Sequence, residues 1–346
     1  MIMARVVARA AVVAAAMLLA AGAVQAAITI ETVPVGNTGN TGEWSGTSYG
    51  GYGPDRICGA VDYQFNIGKY EVTAGQYTAF LNAVAVTDTY GLYNTSMWSS
   101  TSGCKIEQTD TGTGYSYSVA ADWADRPVNY VSFWDACRFA NWLTNGQPTG
   151  AQGAGTTETG AYTLDGYNGQ DGQTIQRNPD WTWAVTSEDE WYKAAYHKND
   201  GDTGNYFDYP TASDSMPSND LTTPDGGNNA NFYQDNGFTI GSPYYRTEVG
   251  EFENSESPYN TFDQGGNVYE WNEAVLYEGE VWSYRGLRGG SDGDYSPHLH
   301  APFRFSSGPT FENGHFGFRV SEVPEPASAL LLGIGGVGVA LRRKRR

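Results

Sequence analysis

The stretch RPVNYVSFWDACRFANWL (residues 126–143) contains its own helix start. Ser132 and Asp135 have the spacing of a capping box, and Phe133, Ala136, Cys137, Ala140 and Leu143 then fall on one side of a 3.6-residue period. The pattern predicts a helix whose apolar face is buried, with Cys137 as a core thiol. Two further stretches read the same way. In VTAGQYTAFLNAV (residues 72–84), Thr73 and Gln76 form the box ahead of Tyr77, Phe80, Leu81 and Val84. In VTSEDEWYKAAYHK (residues 185–198), Ser187 and Glu190 precede Trp191, Ala194 and Ala195. The acids Glu188 to Glu190 are expected to serve the positive end of that third helix.

Outside these helices the 346-residue chain is rich in glycine (44) and in aromatics (24 Tyr, 14 Phe, 10 Trp), which predicts much irregular backbone held by aromatic packing. No Pro/Ser-rich linker or internal repeat divides the middle of the chain, so residues 27–322 are expected to form one domain. Three cysteines allow one disulfide, and Cys58 with Cys104, both in polar, loop-like sequence, is the expected pair.

Both ends are addresses. Arg5 and Arg9, an apolar run from Ala10 to Ala23 and the small-residue site Val24-Gln25-Ala26 predict a signal peptide over residues 1–26, removed by signal peptidase. Residues 323–346 combine the Pro324-Glu325-Pro326 triplet, an apolar segment from Ala327 to Leu341 and the basic block Arg342 to Arg346. This arrangement resembles the PEP-CTERM sorting signal. The resemblance implies transient membrane anchoring, cleavage by an exosortase and a destination at the cell surface, outer membrane or extracellular matrix of a Gram-negative, often exopolysaccharide-producing, bacterium. Seven of the 20 basic residues but only one of the 39 acidic ones lie in these ends, leaving 13 basic against 38 acidic residues, a net charge of −25. Such a surface repels phosphate backbones and excludes nucleic acid as a partner.

Six segments occur in a fixed order: IGKYEVTAGQYTAFLNAV, RPVNYVSFWDACRFANWL, VTSEDEWYKAAY, GGNVYEW, LRGGS and GFRV. Together, from about Val33 to Val320, they resemble the formylglycine-generating enzyme (sulfatase-modifying factor) family. The resemblance implies an α+β, variant C-type-lectin-like fold with little regular secondary structure. It also implies structural calcium. In FDQGGNVYEW (residues 262–271) the matching ligands are the side chains of Asp263 and Glu270 and the carbonyls of Gly266 and Val268, a hard-oxygen set suited to that ion. Family members often have asparagine where Asp263 stands. A second family calcium site matches ANFYQDNGF (residues 230–238) at Asn231, the carbonyl of Phe232 and Asp235, with Gly237 or Phe238 as last ligand; its alternative is an Asx-type turn without metal.

The family's oxidases bind copper(I) through two cysteines, three and eight residues after the serine of the Gly-Gly-Ser turn. In RGLRGGSDGDYSPHLHAPFRF (residues 285–305) Ser291 is kept, but those positions are Asp294 and Leu299, and the last cysteine of the chain is Cys137. Copper is therefore not expected. Arg304 matches the family arginine that precedes Arg319 by fifteen residues, and the segment from Ser291 to Arg304 is about three residues short. The reading that follows is an exported domain that keeps the scaffold without the oxidase and binds a polysaccharide or peptide. The alternatives are an active modifier of sulfatases, or a different metalloenzyme in which His298 and His300, if on one side of a strand, bind zinc or iron with Asp294 or His315; a lone His-x-His in a loop is more often a hydrogen-bonded polar patch.

Overall fold

The computed structural model describes residues 27–323 apart from Asn236; the signal peptide and nearly all of the sorting tail lie outside the described residues. The three long helices are Ala74–Val84, Phe133–Thr144 and Glu188–Tyr196. Each begins where its sequence predicts. The Thr73 hydroxyl accepts from the Gln76 amide at 3.2 Å while the Gln76 side chain accepts from the Thr73 amide at 3.0 Å. Ser132 with Asp135 and Ser187 with Glu190 repeat the reciprocal pair. Each cap satisfies otherwise orphaned amides and stabilises its helix by about 1 kcal/mol.

Two four-stranded sheets frame the helices. In the first the order is Thr32–Val35, Phe65–Gly68, Val320–Glu322, Trp183–Val185, all antiparallel, so the two ends of the described chain meet in one sheet. In the second the order is Phe305–Ser307, Ser283–Arg288, Tyr269–Glu278, Phe316–Phe318, with only the last pairing parallel. Its register sets Glu270 opposite both Arg288 and Gly317. The chain also links the sheets directly, because a single residue, Arg319, separates the strands Phe316–Phe318 and Val320–Glu322.

The main core lies between the first two helices and the second sheet. Phe139 is its hub, stacked on Tyr77 and edge-on to both Phe80 and Phe318, with ring centroids 5.3–6.1 Å apart. Such pairs contribute about 0.5–1.5 kcal/mol each beyond their buried area. Cys137 is fully buried in this core, as its helical position predicts.

The packing corrects one expectation, the disulfide, and extends another, the role of the acids in the third helix. All three thiols are free and buried. Cys58 belongs to a small cluster with Trp191 and Tyr192, and Cys104 to the main core, whereas a disulfide needs its Cα atoms within about 7 Å. The acids of the third helix do more than face a dipole. Glu188 is buried and receives two fully buried arginines: Arg288 (Nε and Nη2 to Oε1, 3.0 and 2.8 Å) and Arg304 (Nε to Oε1, 2.6 Å; Nη2 to Oε2, 2.8 Å). Arg56 approaches from the surface at 3.3 Å. Glu190 is likewise held by Arg177, at 2.7 and 2.9 Å.

Candidate functional site

The strand Ser283–Arg288 ends in the Gly289-Gly290-Ser291 turn, and the chain then crosses a short 3-10 turn, Ser296–His298. Gly290 has φ +75°, and a Cβ there would lie 2.9 Å from Leu299 Cδ1, so the turn needs glycine for conformation and for space. Leu299 accordingly closes over the turn. It is fully buried with Ala230 and Phe232, and its carbonyl accepts from the Tyr196 hydroxyl at 2.9 Å.

Asp294 faces the other way, into a polar cluster. It accepts a hydrogen bond from the Ser291 hydroxyl, and its Oδ1 is 2.8 Å from His298 Nδ1, which lies 2.6 Å from the Tyr269 hydroxyl. Burial alone would raise the Asp294 carboxyl, but the bonds from His298 and Ser291 hold it below its ordinary value. The phenol of Tyr269 is pushed up by burial and by the Asp294 charge. Beside them His315 Nδ1 is 3.2 Å from Asp292 Oδ1, and this bond raises the imidazole's pKa.

The histidines do not form the cluster expected of a strand. Pro297 opens a 3-10 turn, so the ring of His298 stacks on Phe303 (centroids 4.3 Å, 18°) while that of His300 lies edge-on to Tyr209. His300 has its own carboxylate, Asp208, at 3.7 Å. Among the described residues no group of three His, Cys, Asp or Glu side chains is gathered closely enough to hold a metal ion. Arg304 is also turned elsewhere, its guanidinium bound to Glu188 and to the Pro54 carbonyl.

Around the second glycine turn, Gly266 has φ +88°, and a Cβ would meet the Asn231 carbonyl at 2.0 Å. Asp263, also at positive φ (62°), accepts the Gly250 amide at 2.6 Å. Glu270 is fully engaged: Arg319 donates to both its oxygens at 2.7 and 2.8 Å, and Trp191 Nε1 to one at 2.7 Å. The open carboxylate here belongs to a residue that sequence reasoning did not single out. Glu71 is 2% exposed and both its oxygens are buried without a hydrogen-bond partner. Burial first, then the neighbouring Asp263, raise its pKa well above the ordinary carboxyl value, and burial lifts Asp263 to about 6. A buried carboxyl pair in which both Glu71 oxygens lack a hydrogen-bond partner fits a hard divalent cation. Glu71 lies within the first motif, IGKYEV, directly before the helix cap, and nothing in its periodicity marks it out.

The second segment is arranged differently. Asn231 is buried, with its Oδ1 unpartnered and its amide bonded to Asn267 and Tyr245. The Phe232 carbonyl accepts from Asn219 and Thr239. Asp235 is exposed at the turn of a two-residue hairpin, Tyr233–Gln234 with Gly237–Phe238.

A family model described as the sulfatase-modifying factor enzyme 1-like domain matches residues 34–323, and one for the PEP-CTERM protein-sorting motif matches residues 322–346. No curated protein matches the chain. Solved structures similar to it include these three. Treponema denticola variable protein 1 is 17% identical, with 85% of this chain and 95% of that chain covered and a TM-score of 0.50. CarF is 20% identical (86% and 99% covered, TM-score 0.49), and PvdO from Pseudomonas aeruginosa is 19% identical (84% and 94% covered, TM-score 0.46).

Proposed function

Because the chain belongs to the sulfatase-modifying factor enzyme 1-like domain family, we propose that it keeps that family's scaffold without its formylglycine-generating oxidase and works as a binding or matrix-associated module. The fold is the family's α+β, variant C-type-lectin-like one. The chain is an exported, sulfatase-modifying-factor-like protein whose PEP-CTERM motif directs exosortase-type sorting to the surface of a Gram-negative bacterium.

One observation supports the non-oxidase reading above the others: Leu299 stands where the second thiolate would be and is a packed core residue. Asp294, at the first position, is a hard oxygen ligand already bonded to Ser291 and His298, and copper(I) prefers soft sulfur. A sulfatase-type cysteine peptide incubated with the chain, copper and a reductant under oxygen is therefore expected to stay unmodified by mass spectrometry. Aldehyde formed at the rate of an active family member would overturn the reading. Asp294→Cys with Leu299→Cys is expected to remain inactive, since the 3-10 turn and the shortened segment misplace the second thiol.

We further propose one structural calcium ion held by Glu71, Asp263 and the carbonyls of Gly266 and Val268. Glu270, expected from the sequence as a ligand, is instead bonded to Arg319 and Trp191. On processing, signal peptidase would remove residues 1–26 and an exosortase would cut near Pro324-Glu325-Pro326. Residues 27–322 would be left at the cell surface, on the outer membrane or in the extracellular matrix. Intact-mass analysis of the native protein checks this: a chain lacking both ends is expected, and one retaining Arg346 would indicate a plain membrane anchor.

A further inference from the structure

Away from the glycine turns, two cavities share one ion pair in their walls. The first, of about 380 Å³, is lined by Tyr162, Gln173, Gln176, Val275 and Arg285, and the second, of about 410 Å³, by Tyr63, Gln64 and Trp181; Arg177 and Glu273 line both. Both volumes fall within the roughly 300–1,000 Å³ of small-ligand sites. Arg177 is fixed in place. It donates Nε to Glu273 Oε1 at 3.0 Å, pairs with Glu190, and stacks over Trp181 at 4.1 Å. Tyr162 donates to the same Glu273 carboxylate.

Two residues lining the first cavity each carry a buried hydrogen-bonding atom without a partner, and the two atoms are of opposite kind. Arg285 is 2% exposed; its two Nη atoms donate to the carbonyls of Glu273, Gly172 and Ile175, but its Nε–H is buried without a partner. Gln173 Oε1 is a buried acceptor, also without a partner. An orphaned donor and acceptor on residues lining one cavity are each costly, and a hydroxyl-bearing ligand answers both because every hydroxyl donates and accepts. A carboxylate or phosphate would satisfy Arg285 but would face Gln173 Oε1 and the Glu273 charge. In the second cavity the Trp181 ring and the Gln64 amide supply the apolar wall and polar edge that a sugar ring presents in turn.

We infer that these paired cavities bind a neutral oligosaccharide, with one unit at Gln173 and Arg285 and the next against Trp181. The inference rests on the reading of the chain as a binding module and names the site and ligand class for it. The test is calorimetric titration of the exported, processed chain with cellotetraose, mannotetraose, galactotetraose and chitotetraose, beside tetragalacturonate as a charged counterpart. At least one neutral tetraose is expected to bind with a Kd of ~1 mM or tighter. Trp181→Ala and Gln173→Leu should each weaken it by about tenfold or more, and Gln176→Ala, at an exposed position, replaces either variant that fails to fold. No binding of any neutral tetraose at ~10 mM, or tighter binding of tetragalacturonate, overturns the inference. Binding unchanged in the variants overturns the site while leaving the binding-module reading intact. Formylglycine formed by the same preparation would overturn that reading whether or not a sugar binds.

Discussion

Replacing Glu188 with glutamine is expected to destabilise the fold by about 3–5 kcal/mol, the usual cost of removing one partner from a buried ion pair. For a chain of this size that is a fall of roughly 10 °C in thermal midpoint. Arg288 and Arg304 are fully buried, and Glu188 is the carboxylate both of them bind. Glutamine keeps the shape but offers one carbonyl oxygen and an amide that points donors at donors. The same ion pairs set an acid dependence. Burial opposes ionisation of Glu188, yet Arg288 and Arg304 outweigh it and lower its pKa to about 2 from 4.5. Its contribution is therefore complete above about pH 4.5 and is lost as pH falls from there through about 2. Acid titration of the wild type and of Glu188→Gln should converge over that window. The neighbouring Asp189, a third exposed and 3.6 Å from Arg56, provides the contrast: Asp189→Asn should cost about 1 kcal/mol or less. Comparable midpoints for Glu188→Gln and wild type at neutral pH would show that the arginines are compensated elsewhere.

This carboxylate hub also marks what the sequence hides. The helix starts are legible at Thr73, Ser132 and Ser187 because a capping box is a contact between residues three apart. The partners of Glu188 lie 100 and 116 residues away, and Arg319 is 49 from Glu270, so no local spacing announces them. Within a stretch of three acids, position relative to the helix end favoured a dipole role for all of them, and only burial separates Glu188 and Glu190 from Asp189. The disulfide expectation failed for a related reason: loop-like sequence around Cys58 and Cys104 says nothing of which cluster each enters. At the glycine turn the sequence was informative about chemistry, since Asp294 and Leu299 cannot supply thiolates wherever they point. The loop-like His-x-His reads as a hydrogen-bonded polar patch, and His298 does lie in one with Asp294 and Tyr269; Pro297 in a 3-10 turn keeps it from the strand alignment with His300 that a metal would use. Glu71 was overlooked because a carboxylate inside a recurring motif carries no sign of being buried.

Calcium is expected to raise the thermal midpoint of the processed chain clearly above that in chelator, and the effect should depend on Glu71. A ligand that binds only the native state stabilises it by about 2.7 kcal/mol at a hundred times its dissociation constant, or several degrees for a chain of this size. The charged neighbours of Glu71 are Asp263, Arg319 and Glu270, and Arg319 is already bonded to both oxygens of Glu270. The arginine therefore neutralises Glu270 and leaves the charge of Glu71 and Asp263 to be met by something else. Glu71→Gln removes one charged ligand without changing volume, so it should abolish most of the calcium-dependent shift. The same substitution should leave the midpoint in chelator unchanged or raise it, because a neutral amide relieves the buried carboxyl. That pair of opposite responses separates a calcium ligand from a structural residue, which would lower both midpoints together. Asp263→Asn, the residue common in the family, should keep part of the calcium response, since an amide oxygen still coordinates a hard cation. Equal midpoints with and without calcium, together with no calcium by elemental analysis, would mean that Glu71 is held protonated and the site is a buried acid pair rather than a metal centre.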